Sequence, residues 1–166
     1  MKLSEVKQAI DNISQDKVDT LKSLLSSHKE VIMIGNGGSN AICSHISQDY
    51  TKFLGVRAYA FSDASRLTCY INDFGMNAAY RKFIEDFAND DTLVILISSS
   101  GNSQNIVNCA HYCYENGLPF VTITGFDKDN AVRKLYSPHA VLDMHVDSHS
   151  YGVVECVHQV FLHTPV

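Results

Sequence analysis

Five short apolar runs stand out from a polar background: residues 31–34 (VIMI), 57–61 (RAYAF), 93–97 (LVILI), 120–124 (FVTIT) and 140–146 (AVLDMHV). Their length and their content of Val and Ile predict strands. Most do not alternate with polar residues, as expected of strands covered on both faces, so the sheet they form is predicted to be parallel. Between them, Tyr80, Phe83, Ile84 and Phe87 recur at i, i+3, i+4 and i+7, as do Ile106, Cys109, Ala110 and Cys113. Each set is the apolar stripe of a helix. Strands alternating with helices predict a three-layer αβα, doubly wound α/β domain around a five-stranded parallel sheet, with ligands at the carboxyl ends of the strands. The first 28 residues read as one amphipathic helix, with Val6, Ile10, Ile13, the stem of Lys17, Leu21, Leu24 and Leu25 on roughly one face. That face needs cover, from the sheet layer or from another subunit. Residues 29–166 form the main domain, and no repeat, low-complexity tract or linker divides the chain.

Composition narrows the possibilities. Of 166 residues, 45% are hydrophobic and 19% charged, which supports a packed core and excludes disordered and fibrous classes. The longest apolar runs fall far short of the roughly 20 residues of a bilayer-spanning helix, so no membrane partner is expected. The opening MKLSEVKQ lacks the apolar middle of a secretory signal, and a cytoplasmic location is expected. Five cysteines without a CxxC pair fit a reducing compartment. With 13 basic residues against 18 acidic ones, a net charge of -5 and no basic run, nucleic acid is not an expected partner, whereas a small molecule or a protein is.

Two loops carry candidate chemistry. Gly35-Asn36-Gly37-Gly38-Ser39 follows the first strand and opens a helical stretch, which suits close approach of backbone amides to an anion or sugar hydroxyl. It equally fits a tight strand-to-helix turn with Ser39 as the cap. Ser98-Ser99-Ser100-Gly101-Asn102-Ser103 follows the third strand, again before a helix. Four hydroxyls at a helix N-terminus make a seat for a phosphate dianion without any Lys or Arg. Neither GxxxxGK[ST] nor GxGxxG is present, which argues against nucleotide hydrolysis and dinucleotide binding. His45 and Asp49, at i and i+4, emerge on one helix face, and Glu155 and His163 share nearly one face of the last helix.

GNGGS, the segment Asn72-Asp73-Phe74-Gly75 and SSSGNS, in that order and followed by a terminal helix bearing His163, resemble the sugar isomerase (SIS) domain family, in particular its phosphoheptose isomerase branch. The resemblance runs from about residue 31 to residue 163. It implies an aldose-ketose isomerase that interconverts sedoheptulose 7-phosphate and a mannoheptose 7-phosphate through an enediolate. Ser98, Ser99, Ser100 and Ser103, with Gly37 and Ser39 of the glycine loop, would then seat the phosphate, while Asn36, Asp73 and Glu155 would hold the sugar; Asp73 also fits an ordinary Asx turn. The resemblance further implies that His45, Asp49, Glu155 and His163 gather a zinc ion (Zn2+), with Asp49 and His163 as the proton-transfer pair. It also implies a homotetramer with active sites between subunits.

The chain departs from the family pattern in ways that bear on activity. The family has glutamate where Asp49 stands and glutamine where Glu155 stands. The first change withdraws a carboxylate by ~1.5 Å, a displacement that can cost ~10²-fold in rate. The second adds negative charge and reduces a metal's Lewis acidity. The N-terminal helical region is shorter than in the family and the last helix stops soon after His163, which bears on assembly. Two alternative readings follow: a non-catalytic phosphosugar- or protein-binding module, like the family's replication-initiator-associated member, or an isomerase of another phosphosugar. Asp147 is a further candidate for substrate contact and His158 for a metal ligand. His111, His139, His145 and His149 read as surface residues, and the five cysteines as mostly buried thiols.

Overall fold

The computed structural model describes residues 1–166. Five strands, β1 (Glu30–Gly35), β2 (Arg57–Ala60), β3 (Thr92–Ser98), β4 (Phe120–Gly125) and β5 (Leu142–Val146), form one sheet in the order β2-β1-β3-β4-β5. Every pairing is parallel. The central strands β1, β3 and β4 are buried along their whole length, which is why their sequences are apolar without alternation. The two edge strands alternate instead, and β5 turns Leu142, Met144 and Val146 inward while Asp143 and His145 are half buried. These features bear out the predicted three-layer parallel α/β fold.

Successive residues of each central strand feed opposite cores. Val31, Met33, Ile95, Ile97, Val121 and Ile123 join one cluster with α2 (Gln15–Ser27), α3 (Gly37–Asp49) and α8 (Tyr151–His163). Ile32, Ile34, Val94 and Leu96 join the other with α5 (Met76–Phe87) and α6 (Gln104–Glu115). The predicted stripes supply that second core: Tyr80, Phe83, Ile84, Ile106, Cys109, Ala110 and Cys113 are all buried, and only Phe87 remains exposed. Two further helices, α4 (Ala64–Phe74) and the short α7 (Ala131–Leu135), complete the layers, and no helix is long and apolar enough to cross a membrane.

The N-terminal region differs from the single helix expected. It forms α1 (Leu3–Asp11) and α2, separated at residues 12–14. Asn12 ends the first helix and Ser14, in extended conformation, starts the second, both being residues whose short polar side chains favour helix ends over interiors. Ile13 and Val18 occupy the N′ and N4 positions of a hydrophobic staple and both reach the first core. Val18, Leu21 and Leu25 are buried there, so this chain's own sheet covers the apolar face of α2. No residue of α1 is buried.

Candidate active site

The strand order reverses between β1 and β3: the chain leaves β1 toward β2 on one side and continues from β3 toward β4 on the other. In an open parallel sheet the carboxyl ends at such a reversal enclose a crevice. Gly35 ends β1 directly beside Ile97 near the end of β3, so the glycine and serine loops leave the sheet side by side. They line a pocket of about 230 Å³, with Asn36, Gly37, Gly38 and Ser39 from the first loop, Ser98, Ser99, Ser100 and Ser103 from the second, and Ile97 at the strand end. The start of α8 adds Tyr151 and Glu155.

The donors of this pocket are backbone, hydroxyl and amide groups, without any Lys or Arg. Helices α3, α6 and α8 begin at it, and none of their N-cap residues, Asn36, Ser103 and Ser150, accepts a capping hydrogen bond with its side chain. The first-turn N–H groups of α3 therefore stay available, whereas in α6 the Ile106 N–H is taken by the Ser103 carbonyl and Asn105 Oδ1, Asp63 caps α4 and Asn130 caps α7. In the serine loop, Ser98 Oγ accepts the N–H of Gly101 (3.1 Å) and Ser100 Oγ accepts that of Asn102 (3.2 Å). Each hydroxyl thereby uses a lone pair on the loop and keeps its proton to donate. Ser99 Oγ is buried with no hydrogen-bond partner. A buried hydroxyl left unpaired costs ~1–3 kcal/mol, which an arriving acceptor would recover. Replacing Ser99 by Ala is therefore expected to leave the free protein as stable or more so, by up to about 1 kcal/mol, while weakening inorganic phosphate binding about tenfold. Thermal unfolding with and without phosphate checks this; an equal loss of stability in both conditions would assign Ser99 to packing alone.

A second group lies further along α3 and α8. Asp49 Oδ2 is 3.4 Å from His45 Nε2 and 3.3 Å from His163 Nε2, and the imidazole centroids are 5.2 Å apart. The carboxylate is largely enclosed, at 13% exposure. His163 Nδ1 lies 2.9 Å from the carbonyl oxygen of Gln159, and since a carbonyl only accepts, Nδ1 carries a proton. A neutral His163 then points its Nε2 lone pair at a carboxylate that also only accepts. Such a pair calls for a proton or a cation between them. One ligand atom from each of His45, Asp49 and His163 lies within 4.8 Å of the others, a donor set that fits a metal ion with three protein ligands.

The expected site residues are thus gathered in two places. Asn36, Gly37, Ser39, Ser98, Ser99, Ser100, Ser103 and Glu155 line the pocket. His45, Asp49 and His163 meet beside it on α3 and α8. Glu155, expected with that metal set, stands apart from it: its carboxylate lies against Gly38, where an added Cβ would sit 2.5 Å from Oε1. Asp73 is also elsewhere, exposed on α4 with its carboxylate bonded to Asn72 and Cys69. His158 is unsuited as a ligand, because it is fully buried with Nε2 on the Thr124 carbonyl, and burial pushes its pKa down to about 4. His145 is a half-buried partner of Thr124 Oγ1 and not the surface residue expected. Of the cysteines, Cys43, Cys109 and Cys113 are buried but Cys69 and Cys156 are exposed. Ile97, Tyr151 and Gly38 are the pocket residues that were not expected from sequence. Gly38 was visible within the glycine motif; Tyr151 had no signal, because its role depends on where α8 starts.

Comparison with known proteins supplies the family and the fold. The SIS domain model matches residues 2–125. The phosphoheptose isomerase of Edwardsiella ictaluri is 31% identical over 139 residues, covering 75% of this chain and 72% of that protein. An Escherichia coli phosphoheptose isomerase is 33% identical over 103 residues, and that match spans about half of its length, 54%. Among solved structures, phosphoheptose isomerases from Neisseria gonorrhoeae and Francisella tularensis superpose with a TM-score of 0.83 each, at 23% and 20% identity. They cover 96% and 98% of this chain and 89% and 91% of their own, and at such identities they speak for the fold. The chain therefore belongs to the SIS domain family, and the curated relatives named above are phosphoheptose isomerases.

Proposed function

We propose that this protein is a phosphosugar aldose-ketose isomerase acting on a seven-carbon substrate of the sedoheptulose 7-phosphate type. The observation that carries this reading is the spacing between the hydroxyl-lined pocket and the carboxylate-imidazole group. Ser39 and His45 lie six residues apart on α3, about 9 Å of helix rise. The Asp49 side chain leans back toward the helix N-terminus, to the level of His45. An extended seven-carbon chain with a terminal phosphate spans about 9–10 Å, at carbon-carbon bonds of ~1.5 Å. A phosphate bound by Ser39, Ser98, Ser99, Ser100 and Ser103 would put the first two carbons beside Asp49 and His163, whereas a triose phosphate would end short of them.

In this proposal the bound phosphate fixes the orientation of the sugar and contributes binding energy remote from the reacting bonds. Asp49 Oδ2 faces both imidazoles, which leaves Oδ1 to take the proton from C1 of the open-chain ketose and return it to C2. His163 moves the second proton, giving it to the oxygen on C2 as negative charge develops there and receiving one from the oxygen on C1. Glu155 and Asn36, which line the pocket, hold sugar hydroxyls. A zinc ion held by His45, Asp49 and His163 would polarise the carbonyl. Assembly as a homotetramer, in which a second chain could bring Asp73 to the pocket, belongs to the same proposal.

Incubation with sedoheptulose 7-phosphate, with and without added zinc, and detection of an aldose by NMR tests it. The expected result is an aldose 7-phosphate, with no conversion of triose phosphates. Binding without turnover under both conditions would replace the isomerase by a binding module.

A further inference from the structure

Asn105, the second residue of α6, is buried, and it faces Asn36 at the start of α3 in a reciprocal pair of amide hydrogen bonds. Asn36 Nδ2 donates to Asn105 Oδ1 at 3.0 Å, and Asn105 Nδ2 donates to Asn36 Oδ1 at 2.8 Å. One further contact settles which way both amides point. The backbone N–H of Ile106 lies 3.0 Å from Asn105 Oδ1, and because an N–H can only donate, that atom must be the oxygen. Asn105 Nδ2 is then directed at Asn36, whose facing acceptor must be Oδ1. The orientation of Asn36 is thus dictated by a residue on a different loop, 69 positions away.

Two consequences reach the pocket, which Asn36 lines and Asn105 does not. Asn105 holds the oxygen of Asn36 on its own side, so the free group offered to a ligand is the second N–H of Nδ2, a donor. Asparagine at an N-cap ordinarily turns its Oδ1 onto the N–H groups of its own helix. Here Asn36 is the N-cap of α3 and makes no such bond. With its oxygen held by Asn105, it leaves the N–H groups of the first turn of α3 open to an anion.

We propose that Asn105 is a positioning residue that locks Asn36 with its N–H toward the pocket and its oxygen away from the α3 terminus, so that the pocket accepts oxyanions. In Asn105→Ala, Asn36 becomes free to rotate and cap α3 with Oδ1, filling the place of the anion with an acceptor. The proposal rests on the phosphosugar reading for the identity of the anion, but not for the state of the Asn36 amide.

Two measurements separate those dependencies. In ¹⁵N-labelled protein, one side-chain amide proton of Asn36 is expected to be protected from solvent exchange and the other not. In Asn105→Ala both should exchange freely. If the Asn36 signals are unchanged in that variant, the proposal is overturned whether or not phosphate binds. The second measurement is a double-variant cycle with inorganic phosphate as the probe. Asn105→Ala alone is expected to weaken phosphate about tenfold, and to have no further effect in an Asn36→Ala background. A loss of equal size in both backgrounds would show that Asn105 acts by some route other than Asn36 and would overturn the proposal. A purely structural role would lower the unfolding temperature while leaving the phosphate affinity of the folded protein intact. If the wild type itself does not bind phosphate, the phosphosugar reading fails and the amide exchange result alone decides the role of Asn105.

Discussion

Replacing Asp49 by asparagine is expected to slow exchange of the substrate's C1 proton with solvent deuterium by about 10²–10⁴-fold, the range supplied by a positioned acid-base group. The substitution keeps the shape of the side chain and removes its charge, and an amide oxygen is too weak a base to take a carbon-bound proton. The same change should leave the affinity for inorganic phosphate within about twofold, since the serine loop lies at the opposite end of α3 from Asp49. NMR of substrate incubated in deuterium oxide, with phosphate inhibition measured alongside, reads both quantities. Exchange that persists at near wild-type rate would remove Asp49 from its assigned role. A parallel loss of phosphate affinity would mean that the helix itself had been disturbed.

The largest stability effect is expected at Gly101. This residue turns the serine loop with φ +62°, a conformation that costs alanine about 1 kcal/mol. It also packs directly on Asn130, so that a Cβ would lie 2.0 Å from Oδ1 and 2.1 Å from Cγ. Asn130 cannot yield easily. It is 2% exposed, caps α7 by accepting the N–H of Arg133 at 3.1 Å, and donates to the Asp127 carbonyl at 2.8 Å. Gly101→Ala therefore combines backbone strain with overpacking and loss of a cap, and it should cost about 3 kcal/mol or more in urea unfolding. Gly117 provides the comparison. Its φ of +66° is similar but nothing lies within 4 Å of its notional Cβ, so Gly117→Ala should cost only about 1 kcal/mol. Equal losses at the two positions would show that contact with Asn130 contributes nothing.

Much of this architecture was legible because it follows from local chemistry. Central strands buried on both faces must be apolar throughout, so residues 31–34, 93–97 and 120–124 announced a parallel sheet. The stripes through Phe83 and Cys109 announced the helices that cover it. The N-terminal pair was read as one helix because its apolar period continues across residues 12–14, whereas the break depends on Asn12 and Ser14 preferring helix ends. Asp73 and Glu155 were grouped with other site residues by family pattern; within one chain, Asp73 bonds to its neighbours on α4 and the Glu155 carboxylate sits at Gly38.

The sequence by itself determined the elements, the two ligand-facing loops and the chemical types they carry, because those depend on side-chain periodicity and on the few residues that suit strand-to-helix turns. Only the tertiary structure decided that β1 and β3 are neighbours at the reversal of strand order, and hence that the two loops form one pocket. It also decided that Asn36 is oriented by Asn105 and that Asp49 lies between two imidazoles. Those contacts join residues 69 and 114 positions apart, and such pairings are set by how the layers pack, which no local pattern encodes.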